Sequence, residues 1–179
     1  MNSWLPPVRL DLYPSESLAG FFIRLCDVNG WWSQRDLADK LGVTGVALRY
    51  QLGDLDLLER SLGLPAGSLP LPASRHGREH SVVGGHTFSG RHFHRSRRIC
   101  PHCIEETGYQ RAYWELKFVT RCHLHSVALV TSCACGTPLN WTDHALATCN
   151  GCVTSDPLPR RQPPCRTSRF SHGRSAQSG

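Results

Sequence analysis

Apolar positions in the first sixty residues recur at spacings of three and four. Leu18, Phe21, Phe22, Leu25 and Cys26 fall on one face of a predicted α-helix. Pro14-Ser15-Glu16-Ser17 ahead of them is a helix-start signal, with Ser15 as the candidate N-cap, and Asn29-Gly30 stops the run. Ser33 caps a second predicted helix reaching Leu41, with Leu37, Ala38 and Leu41 inward and Gly42 at its end. Thr44 opens a third, carrying Val46, Ala47, Tyr50 and Gln51. Asp54 opens a fourth, with Leu55, Leu58 and Leu62 inward. Residues 1–64 thus read as a helical domain. Gln34–Leu52 has the cadence of a helix-turn-helix: small Ala38, Gly42 at the turn, and Leu48 between the helices. The exposed face of its second helix shows Thr44, Gly45, Arg49 and Tyr50. That face is poor for reading bases, although Arg49 is a candidate nucleic-acid contact. A scaffold or protein-binding surface is the favoured reading over direct DNA readout.

The periodicity is lost over residues 65–98. Pro65, Pro70, Pro72, Gly77, Gly84, Gly85 and Gly90 punctuate the segment, which reads as a loop or basic linker. Its five histidines, His76, His80, His86, His92 and His94, have no cysteine at a ligand spacing and read as solvated side chains. Residues 99–152 regain pattern. Arg111–Thr120 predicts a short strand with Trp114, Leu116 and Phe118 on one side, and Val127–Thr131 a second β-rich run. Residues 153–179 turn to Pro, Arg, Ser and Gly and read as a disordered basic tail. The fold class is therefore small α+β.

Charge adds an asymmetry. The chain of 179 residues carries +6, but residues 1–74 carry −2 and residues 75–179 carry +8. Eighteen of its twenty cations are arginine, the side chain that forks onto phosphate. Arg91, Arg95, Arg97 and Arg98 are the densest cluster outside the tail and are the candidate phosphate contacts. No apolar run approaches the roughly 20 residues needed to span a bilayer, and Met1–Pro14 does not resemble a signal segment. The expectation is a cytoplasmic, DNA-associated protein.

The cysteines carry the chemistry. Of nine, seven join one histidine in four close pairs: Cys100/Cys103, Cys122/His125, Cys133/Cys135 and Cys149/Cys152. In a reducing compartment such pairs read as metal ligands rather than disulfides. Eight ligands satisfy two tetrahedral zinc ions. His123 competes with His125, which is preferred because two intervening residues match a knuckle. The CxC pair is tight, and Gly136 relaxes the turn after it. Sequential and cross-braced pairing use the same eight residues and stay open. With four protein ligands each, both sites look closed, as in structural zinc. There is no HExxH or HxE pattern for hydrolytic or deaminase chemistry. Residues 99–152 are too few to bury a stable core alone, so metal must contribute folding energy. Cys165 is left over and reads as a bystander.

Two further motifs acquire meaning together. Pro14-Ser-Glu-Ser-Leu18, then Arg24-Leu-Cys26 and Asn29-Gly30, resembles the opening of the TniQ family. Arg98-Ile-Cys-Pro-His-Cys103, Trp114, Cys122-His-Leu-His125, Leu129 and Cys133-Ala-Cys135-Gly136 resembles its zinc module. The resemblance covers roughly residues 4–152, with 65–96 matching poorly. It implies an N-terminal helix-turn-helix domain, two treble-clef or ribbon-like zinc sites and no catalysis. The implied role is a transposition adaptor that links target-site selection to an AAA+ ATPase regulator on DNA. In some CRISPR-associated transposons the partner is an RNA-guided effector with its RNA. Many relatives run to several hundred residues, so this chain reads as a short or truncated form. The rival readings are a sequence-specific DNA-binding regulator and a zinc-ribbon RNA binder, the latter requiring exposed stacking aromatics among Trp114, Phe118 and Trp141.

Overall fold

The computed structural model describes residues 5–42, 55–69 and 80–153. Helix α1 (Leu18–Val28) begins at Ser17, not Ser15: the Ser17 hydroxyl accepts from the Gly20 N–H at 2.9 Å. Ser15 instead adopts a φ of 62° and gives its carbonyl to the Ala112 N–H at 2.8 Å. Asn29 closes the helix, its side-chain amide donating to the Leu25 and Val8 carbonyls. Helix α2 (Gln34–Leu41) carries a reciprocal capping box between Ser33 and Asp36 and ends at left-handed Gly42. Helix α3 spans Leu55–Leu62. The expected third helix, with Thr44 and Arg49, lies outside the described residues.

Helix α1 carries apolar side chains on two sides, and both are buried; only Arg24, Asp27 and Val28 reach outward. Leu18, Phe21, Phe22, Leu25 and Cys26 meet Leu37, Ala38, Leu58, Leu62 and Leu69 in a helical core. Ala19 and Ile23 face the other way, into a second core with Ile99, Ile104, Trp114, Leu129, Leu139, Trp141 and Leu146. Between these faces Gly20 lets the chain at Gln110 approach: a Cβ there would sit 2.8 Å from the Gln110 Cβ. The Ser17 N–H donates to the Gln110 carbonyl at 2.8 Å across the same seam.

Two expectations are corrected downstream. Residues 80–98 are not irregular loop throughout. Strands β1 (His80–Val83) and β2 (His86–Ser89) pair antiparallel, Val83 opposite His86, around Gly84-Gly85. Both glycines have positive φ, at 57° and 80°, which suits a two-residue hairpin turn. The expected strand over Arg111–Thr120 is instead a 3-10 turn at Ala112–Glu115, flanked by single bridges Glu16↔Arg111 and Phe93↔Leu116. Trp114 and Leu116 still point inward, but Phe118 is 61% exposed. The Val127–Thr131 run forms single bridges, Arg121↔Ala128 and Ile99↔Val130. A 3-10 turn at Gly90–His92 and helices α4 (Pro101–Thr107) and α5 (Asn150–Val153) complete the described elements.

Candidate metal centres

Cys100 caps α4 and Cys103 lies in its first turn, so both sulfurs emerge from one helix start. Opposite them the chain makes a tight turn at 122–126. The Ser126 N–H donates to the Cys122 carbonyl, the Cys122 N–H to the Val127 carbonyl, and Ser126 takes a φ of 55°. This turn presents Cys122 Sγ and His125 Nδ1 to the two helix sulfurs. Cys103 Sγ lies 3.5 Å from Cys122 Sγ and 3.3 Å from His125 Nδ1, and Cys100 Sγ is 3.5 Å from the same nitrogen. A tetrahedral zinc ion with bonds of about 2.0–2.3 Å sets ligand–ligand edges of roughly 3.5–3.8 Å.

Cys133, Cys135, Cys149 and Cys152 form the second group. Cys133 Sγ is 3.7 Å from Cys152 Sγ, and Cys149 Sγ is 3.4 Å from both Cys135 Sγ and Cys152 Sγ. In each group all four candidate ligand atoms lie within 4.8 Å of one another. All eight described cysteines are free of disulfides. The grouping is sequential rather than cross-braced. Left-handed Gly136, at φ 85°, lets the 133–136 turn close. Gly151 is needed for a different reason: a Cβ there would sit 2.3 Å from Thr137 Oγ1. That hydroxyl lies 3.3 Å from Cys135 Sγ.

The donor chemistry fits zinc. Burial pushes the Cys103 thiol up to about 12 and raises Cys100 as well. Three or four crowded sulfurs become thiolates together only beside a cation. Cys135 is already lowered to about 6, chiefly by its hydrogen bonding with Thr137. Both groups hold four protein donors, the pattern of closed structural sites rather than catalytic ones.

His123 stands outside the first group, its Nδ1 2.8 Å from the Tyr113 hydroxyl. His125 turns its other nitrogen, Nε2, to Glu106, 3.0 Å from each carboxylate oxygen. Sequence reasoning missed this pairing, although Glu106 sits three residues after Cys103 on the same short helix. A carboxylate on the outer nitrogen fixes the tautomer and leaves Nδ1 free for metal. Glu106→Gln is therefore expected to weaken zinc at the first centre about 10-fold or more, measured by competition with a chromophoric chelator. An unchanged affinity would leave Glu106 a surface residue.

The arginine cluster divides. Arg91 and Arg95 are exposed. Arg97 is fully buried, donating to the Leu146 carbonyl at 3.0 Å and pairing with Asp143 at 3.3 Å. Arg98 is 5% exposed and gives its guanidinium to the carbonyls of Trp114 and Leu116. Arg97 is wholly enclosed, Arg98 nearly so, and both guanidiniums are engaged by backbone carbonyls, so the expectation that both contact phosphate is corrected. Arg49 lies outside the described residues.

Residues 7–129 match the sequence profile of the TniQ family. The chain belongs to the TniQ family. No curated protein matches it as a relative. TniQ proteins are non-catalytic accessory factors of transposition. The matched segment contains the whole first metal group and both sides of the α1 seam, and ends before Cys133. Among the described residues no helix is long and apolar enough to cross a membrane.

Proposed function

We propose that this TniQ protein is an adaptor of DNA transposition that couples target-site selection to an AAA+ ATPase regulator and, through it, to the transposase. The supporting observation is the shared core: Ala19 and Ile23 of α1 pack with Cys100, Cys103, Cys122 and Cys149. Helix and metal module then move as one body, which suits a part that holds two partners in fixed register. Cys100, Cys103, Cys122 and His125 would hold one zinc ion, and Cys133, Cys135, Cys149 and Cys152 a second, in knuckle turns of the treble-clef or ribbon kind. The ions would act as structural cross-links. The helix-turn-helix over Gln34–Leu52 would serve as a protein-binding scaffold. Where such a system is guided by RNA, an effector and its RNA would be the further partner. The setting is the bacterial cytoplasm at the nucleoid.

Contact with nucleic acid would run through one face. Phe93 bridges Leu116, which places Lys117 and Phe118 beside His92 and Arg91. The Lys117 ammonium donates to the Arg91 carbonyl at 2.6 Å. Arg91, Lys117 and the exposed ring of Phe118 are thus neighbours, and Arg95 is exposed four residues on from Arg91. Residues 80–104 contain no Asp or Glu. DNA affinity is expected to fall steeply with salt, and the R91E/R95E/K117E variant to flatten the slope of log affinity against log salt by about one unit per cation changed. Fluorescence anisotropy on a labelled duplex at several salt concentrations measures it. A slope that the variant leaves untouched removes this face from the proposal. The adaptor role itself is tested by co-purification with an AAA+ transposition ATPase, with and without duplex DNA and ATP. No retention under any condition rejects it.

A further inference from the structure

Arg97 was expected at the surface, and its burial needs a reason. Its side chain is 0% exposed, and an uncompensated buried charge is strongly destabilising. Asp143 meets one end of the guanidinium at 3.3 Å, and the Leu146 and Ala145 carbonyls accept at 3.0 and 3.4 Å. Asp143 is itself committed elsewhere. One oxygen accepts from the Asn140 N–H at 2.9 Å and the other from the Asn150 N–H at 3.3 Å. Asn150 stands between Cys149 and Cys152. The Arg97 Nε is buried with no hydrogen-bond partner. Burial pulls the Arg97 pKa below its ordinary value, opposed first by Asp143 and then, more weakly, by Cys149 and Cys133.

Four thiolates around one divalent ion leave a surplus of two negative charges. Asp143 adds another in the same buried region. Arg97 is the cation placed there. Resting on the reading of these cysteines as a zinc site, we infer that Arg97 is a positioning residue of the second metal centre. Its buried charge compensates the metal–thiolate cluster, and its fork holds the 140–150 loop that delivers Cys149 and Cys152. Arg97 also lies three residues before Cys100, so the same side chain ties the second centre to the segment entering the first. The sequence cluster Arg91–Arg98 is then two devices: an outer pair facing solvent and an inner pair building the module.

Cobalt(II) titration of the apo protein tests this, because S4 and S3N cobalt centres have different ligand-field and charge-transfer bands. Arg97→Met is expected to weaken cobalt at the S4 centre about 10–100-fold while the S3N centre changes little, and Arg97→Lys to recover most of the loss. The R97M/D143N variant removes the ion pair without leaving Asp143 charged and alone. If Arg97 serves the thiolates, its S4 centre stays weak. If Arg97 serves only Asp143, affinity returns to that of the wild type and the inference is overturned. It is overturned equally by Arg97→Met leaving the S4 centre unchanged, or weakening both centres alike. Should Arg97→Met not fold, the lysine and double variants carry the same comparison. A wild-type chain that takes up no cobalt would instead sink the zinc reading beneath it.

Discussion

Stripping the metal is expected to unfold the zinc module and to loosen the helical region with it. A structural zinc site contributes on the order of 10–16 kcal/mol at neutral pH. A domain of this kind has a net stability of only about 5–15 kcal/mol. Losing even one ion therefore removes an amount comparable to the whole net stability of the module. The consequence spreads because the candidate ligands are core residues. Cys100, Cys103, Cys122 and Cys149 are buried among Trp114, Trp141, Leu139 and Leu146, and Ala19 and Ile23 of α1 close the same cluster. Expected on chelation are release of close to two zinc ions per chain, loss of the near-ultraviolet signal of the buried tryptophans, and a lowered melting transition for the helices. Adding zinc back should restore all three. The sequence pattern alone anticipates melting of the C-terminal half only, since nothing in it shows that α1 has two buried faces in use. If the helical transition keeps its midpoint while zinc leaves, the common core is wrong. If no zinc is found in protein purified under reducing conditions, the reading of both cysteine groups fails.

The grouping of the candidate ligands into pairs was legible because each pair is local. A knuckle needs two donors on one turn, and spacing alone nearly fixes which ones; His125 over His123 follows from the same geometry. Which pair joins which is a long-range fact, and only the packing of α4 against the 122–126 turn decides it. The arginines illustrate the opposite case. Arg91 and Arg97 look alike in sequence, since charge says nothing about which partner a side chain finds. Asp143, forty-six residues beyond Arg97, makes the difference. The hairpin at 80–89 was hidden because Gly84-Gly85 was read as loop punctuation; its flanking Val82-Val83 and Thr87-Phe88 are β-formers, and the same glycines make the turn. At 112–115 the alternation of Trp114 and Leu116 is genuine, but a 3-10 turn buries both as well as a strand would. The shift of the α1 cap from Ser15 to Ser17 has a tertiary origin, because the Ser15 carbonyl is engaged by Ala112.

Breaking the Glu16–Arg24 pair is expected to cost about 3–5 kcal/mol, the loss typical of leaving one member of a buried ion pair alone. These two residues carry much of the family-like opening of the chain, and the structure shows why they go together. The Glu16 side chain is fully enclosed and Arg24 is 12% exposed. The Arg24 Nε and a terminal nitrogen donate to the two carboxylate oxygens at 2.9 and 2.7 Å, a forked contact. Glu16 also accepts from the Tyr13 N–H at 3.1 Å, and Arg24 donates to the Asp11 carbonyl at 2.7 Å. The guanidinium lies over the Tyr13 ring, Tyr13 stacks on Tyr109 at 4.7 Å, and Arg111 covers the Tyr109 ring. Glu16 bridges Arg111 through the backbone at the same place. The pair thus fixes the seam where α1 meets the chain leaving the first metal centre. Glu16→Ala should lower the melting midpoint by roughly 6–20 °C for a chain of this size. Zinc content should stay near two per chain, because no ligand is touched. The E16A/R24M variant should recover part of the loss, since it removes the stranded charge as well as the pair. A Glu16→Ala protein within about 1 kcal/mol of wild type would mean that Arg24 escapes to water and that the seam is held by Gly20, Gln110 and the tyrosine stack alone.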